Sequence, residues 1–466
     1  MPLIFKRGSG ILIPKSYSNE IFYKNIKSHL TRTSRNYGTS ILTTAEFFEE
    51  DERGMKIPRF FPIQKFVHCE VKDVLTNGKK IKIKHNIKLK NKTQEEAVKY
   101  FKNNNGVLRL DPGMGKTVIG IYLIAIFKVK TFILVHRDAL VDQWQSRLLE
   151  HSNLTPEDIG VLSTATFDDY LKEKSVILCT DQAFGAIMRS KRSNEFKKAL
   201  IDAKFGFLIA DEVHTSVGAP GFSKCSLNIP AKRVLGLSAT PYRYDGNGDI
   251  ILAHLGEIFS IESREGILNA KVMVFLFNSG LVETRQKYLY WGGQFQRSRY
   301  LTILKKSKLF MALLEKIISR LEKDREVIFV AERLKLIDEC MKLAKEESKI
   351  AFTAGINLNE VLDKKIIFTT PGKMRDGIDI SHKDCLVMTS PISNIAQIAG
   401  RIIRSHPGKK NPVIFDLVDL NVKDIRSTYK KRMDYYQKNK WNIEYILAEN
   451  RKFKKITRNK ALDLIF

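Results

Sequence analysis

The chain has 466 residues, 43% hydrophobic and 28% charged, which is enough apolar material for more than one core and excludes a disordered chain or a disulfide-stapled miniprotein. Its 79 Lys and Arg against 51 Asp and Glu leave a net charge of +28, an excess that asks for a polyanionic partner, nucleic acid first and an anionic membrane surface second. No run approaches the ~20 apolar residues that cross a bilayer, and the first residues lack the apolar stretch and small-residue cleavage site of a secretory signal. Five scattered cysteines (Cys69, Cys179, Cys225, Cys340, Cys385) form no C-x-x-C pair. Neither a zinc site nor a disulfide framework is expected, and the expected setting is a reducing cytoplasm.

Residues 1–88 read as a small basic, β-containing module that binds nucleic acid. The first 90 residues carry 18 basic against 8 acidic side chains, and residues 421–466 carry 13 against 5. Basic ends around a more balanced middle suggest that the ends grip the polyanion while the centre does chemistry; lysine faces that only confer solubility are the plain alternative. Residues 65–75 and 79–87 flank Asn77-Gly78, a dipeptide suited to a tight hairpin. In the second of these stretches Lys alternates with Ile, so Lys82 and Lys84 share one face. That face is either a phosphate-tracking strip or a solvated edge that discourages aggregation.

From residue 89 short β-branched apolar runs alternate with helical stretches. They fall at 107–110, 132–135, 176–179, 207–210 and 234–237, and a second series at 272–277, 327–330, 365–368, 386–389 and 413–417. Such runs, spaced for helical crossovers, predict an α/β fold with two tandem parallel-sheet domains, 89–264 and 265–420, bordered near 260–270. Residues 281–300 interleave Tyr288, Tyr290, Trp291, Phe295 and Tyr300 with Arg285, Lys287, Arg297 and Arg299 around Gly292-Gly293. The pattern suits bases stacking on rings with cations on phosphate, and equally core packing. Residues 421–466 read as a basic extension of one or two helices carrying Tyr429, Tyr435, Tyr436 and Trp441.

Four segments carry chemistry. Asp111-Pro112-Gly113-Met114-Gly115-Lys116-Thr117 follows a predicted strand and opens a predicted helix, where backbone N–H groups and the positive helix end face an anion. Gly113 and Gly115 let the backbone approach phosphate, Lys116 neutralises the β and γ phosphates, and the Thr117 hydroxyl holds Mg²⁺. Strict phosphate loops have Gly where this chain has Leu110. Asp211-Glu212-Val213-His214 follows the run 207–210. Asp211 there suits Mg²⁺, and Glu212 suits orienting and deprotonating a water; a helix cap followed by an acid is the bland reading. Ser238-Ala239-Thr240 ends another strand and is uninformative alone. Gln397, Arg401 and Arg404 fall at i, i+4 and i+7, on one face if the helix is continuous. Arg404 would then serve as an arginine finger on a γ-phosphate, with Arg401 beside it; a salt-bridged structural helix is the alternative.

In this order the pieces resemble superfamily 2 helicases and translocases over about residues 89 to 420. The resemblance implies two RecA-like lobes that hydrolyse ATP and usually track 3′ to 5′ on one strand. It assigns Gln94 to reading adenine and extends the nucleotide set to Pro112, Met114, His214, Gly377, Asp379 and Gln397. It assigns nucleic-acid contacts to His136, Arg137 and Gln143, in a motif that includes Leu140 and Trp144, and to Thr180, Gln182 and Thr370. Leu110 matches the XPB-like branch, and the whole is most similar to compact viral and phage members: UvsW-type branch-migration helicases and the poxvirus transcript-release helicase. A viral or phage member would work in the host-cell cytoplasm. The expectation is therefore a DNA motor using ATP and Mg²⁺ on single-stranded, duplex or branched DNA. The alternatives are a translocase on RNA or a transcription complex, a non-catalytic nucleic-acid clamp, and a small-molecule P-loop kinase, which has no use for the Gln397 to Arg404 segment.

Overall fold

The computed structural model describes residues 3–17, 19–35, 42–75, 77–111, 113–213, 220–239, 241, 248–261, 267–280, 287–356, 359–375, 380–392, 395–449 and 452–466. They fall into two units, Met1–Ser263 and Arg264–Phe466.

The first unit opens with β1 (Leu3–Arg7), β2 (Gly10–Pro14), β3 (Thr31–Arg35), β4 (Leu42–Glu46), β5 (Glu49–Asp51), β6 (Gly54–Pro58) and β7 (Cys69–Asp73). Five of them form a sheet in the order β5-β6-β2-β1-β7, and β3 pairs with β4. The helix Glu20–Leu30 is capped by Asn19 and buries Phe22, Ile26 and Leu30, one stripe at a spacing of four. The hairpin expected around Asn77-Gly78 does not form. β7 pairs in parallel with β1, and residues 79–87 run on as an extended segment that makes single bridges, Lys80 to Val129 and His85 to Ser152. The predicted alternation survives in a different context. Ile83 is buried and Lys82 and Lys84 are exposed, because the α/β core covers the apolar face that a hairpin partner was expected to cover.

The N-terminal sheet shares a core with the α/β layer behind it: Phe5, Ile13, Met55 and Ile57 belong to one cluster with Phe184, Phe196 and Ile229. Buried Arg59 fastens the two, donating to the carbonyls of Ala231 (2.5 Å) and Ile229 (3.3 Å), and the Phe60 amide donates to Ala253 (2.8 Å). The α/β layer contains β8 (Gly106–Arg109), β9 (Thr131–Val135), β10 (Ile159–Val161), β11 (Val176–Thr180), β12 (Phe207–Asp211), β13 (Arg233–Ser238) and β14 (Ile258–Ser260). They form a parallel sheet in the order β10-β11-β9-β12-β13-β8-β14. Helices cover it, so β9, β11 and β12 are buried along their whole length, which is why they read as uninterrupted apolar runs.

The second unit holds β15 (Lys271–Phe277), a short hairpin β16 (Tyr290–Trp291) and β17 (Gln294–Phe295), β18 (Val327–Val330), β19 (Lys349–Phe352), β20 (Ile366–Thr369), β21 (Cys385–Met388), β22 (Val413–Asp419), β23 (Asn442–Glu449) and β24 (Lys452–Ile456). Eight of these form a sheet in the order β19-β20-β18-β21-β22-β15-β23-β24. All neighbours are parallel except β23 and β24. The fold is thus α/β with two tandem parallel-sheet domains of the RecA-like kind. The C-terminal extension has its two helices, Lys423–Lys438 and Arg458–Ile465, and between them β23 and β24, which the sequence reading did not foresee. β24 is lysine-rich and lies at the sheet's edge, where charge blunts strand-to-strand association. Among the described residues no helix is long and apolar enough to cross a membrane.

Candidate nucleotide and nucleic-acid site

In a parallel sheet the carboxyl ends of the strands share one edge, and the loops that leave them meet there. The loop leaving β8 starts with the Leu110 amide donating to Ser238 at the end of β13 (3.2 Å), and turns with the Met114 amide donating to Asp111 (3.2 Å). Gly113 and Gly115 sit at φ 86° and 85°, left-handed conformations that cost an L side chain energy. Gly115 is also sterically closed, since a Cβ there would lie 2.5 Å from Gln94 Nε2. The helix Lys116–Phe127 begins immediately after, and Lys116 Nζ reaches back to the Leu110 carbonyl at 3.1 Å. Gln94 is buried against this loop. Its Nε2 donates to Met114 O (3.1 Å), its Oε1 accepts from the Lys90 amide (2.8 Å), and its own amide is capped by Asn91. A cradle of left-handed glycines, a helix start and a lysine fits a polyphosphate. Pro112 lies outside the described residues.

Two strands along, β12 ends on buried Asp211. Trp144 Nε1 donates to its Oδ2 (2.8 Å) and the Glu212 amide to its Oδ1 (2.9 Å). Burial first, then the Glu212 charge, raises the Asp211 pKa, against the Trp144 bond and the Lys116 charge, which lower it. Glu212 has φ 49°, a left-handed backbone for a non-glycine residue, which turns the chain sharply at the strand's end. Trp144 belongs to the motif whose His136, Arg137 and Gln143 were expected at a nucleic-acid backbone. It is instead fully buried, and its ring lies so close to the Lys116–Phe127 helix that a Cβ at Gly120 would meet it at 2.8 Å. The indole therefore ties the lysine helix to the acidic strand end, a role the sequence did not signal. His214 and Thr240 lie outside the described residues.

The next two strand ends continue the row. β9 and β11 are neighbours with Val135 opposite Thr180. His136 Nδ1 pairs with Asp181 Oδ2 at 2.9 Å, and Asp181 is buried. The Thr180 hydroxyl caps the helix Asp181–Arg189 by accepting from the Ala183 amide (3.1 Å). Arg137 and Gln182 are exposed, and Gln143 is half-buried on the helix Asp138–His151. Lys116, Asp211, Glu212, His136, Arg137, Thr180 and Gln182 thus share one edge. Lys82 and Lys84 do not join them. Their segment bridges to Val129, just before β9 begins, and to Ser152, just after the helix that returns from its end, so it borders the opposite edge.

In the second unit Thr370 follows β20, and its hydroxyl accepts from the Lys373 amide at 3.4 Å. Gly377 and Asp379 lie outside the described residues. Gln397 and Arg401 belong to the helix Ala396–Ile402, whose last turn holds Arg401 with 8% of its surface exposed. The expectation of a single face through Arg404 is corrected here. The helix stops at Ile402, the Ile403 carbonyl accepts from the Leu268 amide (2.7 Å), and Arg404 bridges to Ile267. The helix could not have run on much further, because Pro407 lies four residues after Ile403 and has no N–H to offer that carbonyl. Sequence reasoning also missed the anchor of the segment leading into this helix. Arg432 forms a two-pronged pair with Asp416 (2.8 and 2.9 Å) and donates to Ile392 O (2.9 Å), while Tyr436 donates to Asp416 (2.7 Å). Both charged residues are 1% exposed. No group of three or more metal-ligating side chains occurs among the described residues.

Residues 80–243 match the family model described as the type III restriction enzyme res subunit. A putative ATP-dependent RNA helicase of Acanthamoeba polyphaga mimivirus is 25% identical over 96% of this chain and 87% of its own length. The DNA 3′-5′ translocase XPB2 of Sulfurisphaera tokodaii is 29% identical over 63% of this chain and 62% of its own length. Among solved structures, the ATP-dependent type ISP restriction-modification enzyme LlaBIII bound to DNA shares the fold, with a TM-score of 0.55 and 16% identity over 83% of this chain and 32% of that one. By these likenesses the chain resembles superfamily 2 helicases of the XPB-like branch, enzymes that hydrolyse ATP and act on nucleic acid.

Proposed function

We propose that this chain is an ATP-driven DNA translocase that remodels forked or branched DNA. The observation that supports the reading best is the single edge of the first sheet, where the lysine loop and the acidic pair lie beside the exposed Arg137 and Gln182. On this reading Lys116 binds the β and γ phosphates, and Gln94, Gly113, Met114 and Gly115 hold the loop around them. Thr117 and Asp211 would hold Mg²⁺, which would neutralise phosphate charge when bound. Glu212 orients the attacking water and accepts its proton. Arg401 and Arg404, with Gln397, Gly377 and Asp379, are assigned to the nucleotide on their motifs alone, as are Pro112 and His214. His136, Arg137, Gln143, Thr180, Gln182 and Thr370 would contact the tracked strand, and Lys82 and Lys84 a further stretch of phosphates.

The test is ATP turnover with single-stranded DNA, duplex DNA, a four-way junction and RNA side by side. DNA should stimulate, with the junction most effective, and Lys116→Ala or Glu212→Gln should cost about 100-fold or more. Stimulation by RNA alone would instead select a translocase on RNA or a transcription complex, a reading favoured by the mimivirus relative, whose name specifies RNA. Absence of turnover with every nucleic acid would leave only a clamp.

A further inference from the structure

The hairpin β16–β17 of the second unit has no part in the site above, and its surface is unusual. Of the chain's three tryptophans, Trp144 is fully buried and Trp441 is 6% exposed, whereas Trp291 at the hairpin's tip is 70% exposed. Tyr288, just before the hairpin, is 56% exposed. One guanidinium, Arg299, lies over both rings, 4.8 Å from the centre of Tyr288 and 5.5 Å from that of Trp291. It is held in place by a bond to Tyr288 O at 3.0 Å.

This arrangement is fixed from below. Gly292 and Gly293 both have positive φ, 55° and 75°, the pair a two-residue turn requires, and a Cβ on either would meet nothing within 4 Å. The Gln296 amide closes the hairpin on Leu289 O at 2.6 Å, with Leu289 fully buried. Tyr290 donates to Asp424, and burial together with that bond raises its pKa to about 12, so the anchor keeps its proton. These contacts thus present two aromatic surfaces to water beside a cation. Exposed aromatics of this kind stack on planar bases, and the guanidinium adds attraction for the neighbouring phosphate.

We propose that Trp291, Tyr288 and Arg299 form a stacking platform for unpaired bases of a single strand. The proposal rests on the reading of this chain as a nucleic-acid motor and adds to it the part of the strand that is gripped: bases, not only phosphates. The test titrates the full chain with a single-stranded DNA oligonucleotide, an RNA of the same sequence, and a base-free deoxyribose-phosphate strand of the same length. Tryptophan emission, binding and ATP turnover are followed together. A base-bearing strand should quench the solvent-accessible emission, which belongs to Trp291, and bind about tenfold tighter than the base-free strand. Quenching by either polymer supports the platform, and the tighter one identifies the strand. Trp291→Ser with Tyr288→Ser should bring binding down to the base-free level, whereas Trp291→Tyr should largely preserve the preference. The substituted side chains are exposed, so folding is not at stake. Equal affinity for base-bearing and base-free strands, with ATP turnover still stimulated, overturns the platform and leaves the motor standing. A double variant that keeps the preference overturns it as well. No stimulation by any strand overturns the motor reading itself.

Discussion

Asp211 shows how one side chain can join two motifs. Its carboxylate receives Trp144 Nε1 on one oxygen and the Glu212 amide on the other, and the same indole packs on the helix that Lys116 opens. Trp144→Phe keeps most of the packing and removes the donor. Because the indole bond lowers the Asp211 pKa, its loss should raise that pKa further. Asp211 must be ionised to serve a metal, so activity is present above its pKa and is lost as pH falls through it. The acid limb of kcat/KM for ATP should therefore already lie above the ordinary carboxylate range, and Trp144→Phe should shift it to higher pH. At neutral pH the variant should lose about tenfold in kcat/KM, the worth of one hydrogen bond to a charged group. An unchanged limb would separate the indole from the chemistry. In sequence Trp144 stood beside Gln143 in a motif that suggested nucleic-acid contact, and only the packing of its helix in the fold brings it to Asp211.

At the scale of elements, legibility followed the reach of the interactions. The buried parallel strands were readable because burial on both faces makes them apolar runs; Phe207–Asp211 is the clearest. The lysine loop was readable because its glycines serve local backbone geometry. The end of the Ala396–Ile402 helix was only partly so: Pro407 sets a limit a turn later, while the stop at Ile402 goes with the bond from Leu268, far away in sequence. Arg432 was hidden differently. It sits among lysines on the helix Lys423–Lys438, yet it occupies the buried face with Tyr429, Met433 and Tyr436, and its partner Asp416 lies inside an apolar strand. Removing one member strands the other. Arg432→Met should cost about 3–5 kcal/mol in urea unfolding, and the double change Arg432→Met with Asp416→Leu should recover much of the loss. The single variant should also lower ATP turnover under native conditions, because Ile392 O, a few residues before the helix that carries Arg401, loses its donor. Turnover that tracks only the unfolded fraction would reduce this anchor to a purely structural role.

Over the whole molecule, the basic ends are built in and do not behave as loose arms. The N-terminal sheet shares a core with the first α/β layer, and β23 and β24 extend the second sheet. Deleting residues 1–88 would remove Phe5, Ile13, Met55 and Ile57 and uncover their partners Phe184, Phe196 and Ile229, so a truncation would report on folding before it reported on function. Charge neutralisation is the cleaner probe. Lys82, Lys84, Lys88 and Lys90 are exposed on alternate positions of one extended segment, with Ile83 buried between them and Ile81, Ile87 and Leu89 packed against the same core. A row of ammonium groups fixed in this way can track phosphates, with Lys82 and Lys84 at the edge of the sheet opposite the strand-end motifs. Changing all four to Gln leaves the apolar face intact and should not alter the melting temperature by more than a few degrees. If the row grips a duplex, affinity should fall, and the slope of log K against log salt should flatten by about 0.9 for each phosphate that a lysine no longer neutralises. ATP turnover at saturating DNA should stay near the wild-type value, since all four side chains are exposed and the one link to the Lys116 loop, the Lys90 backbone amide on Gln94, is kept in a Gln variant. If the lysines only keep the surface soluble, the salt slope will not change, and the basic excess of the N-terminal region must be explained by solubility alone.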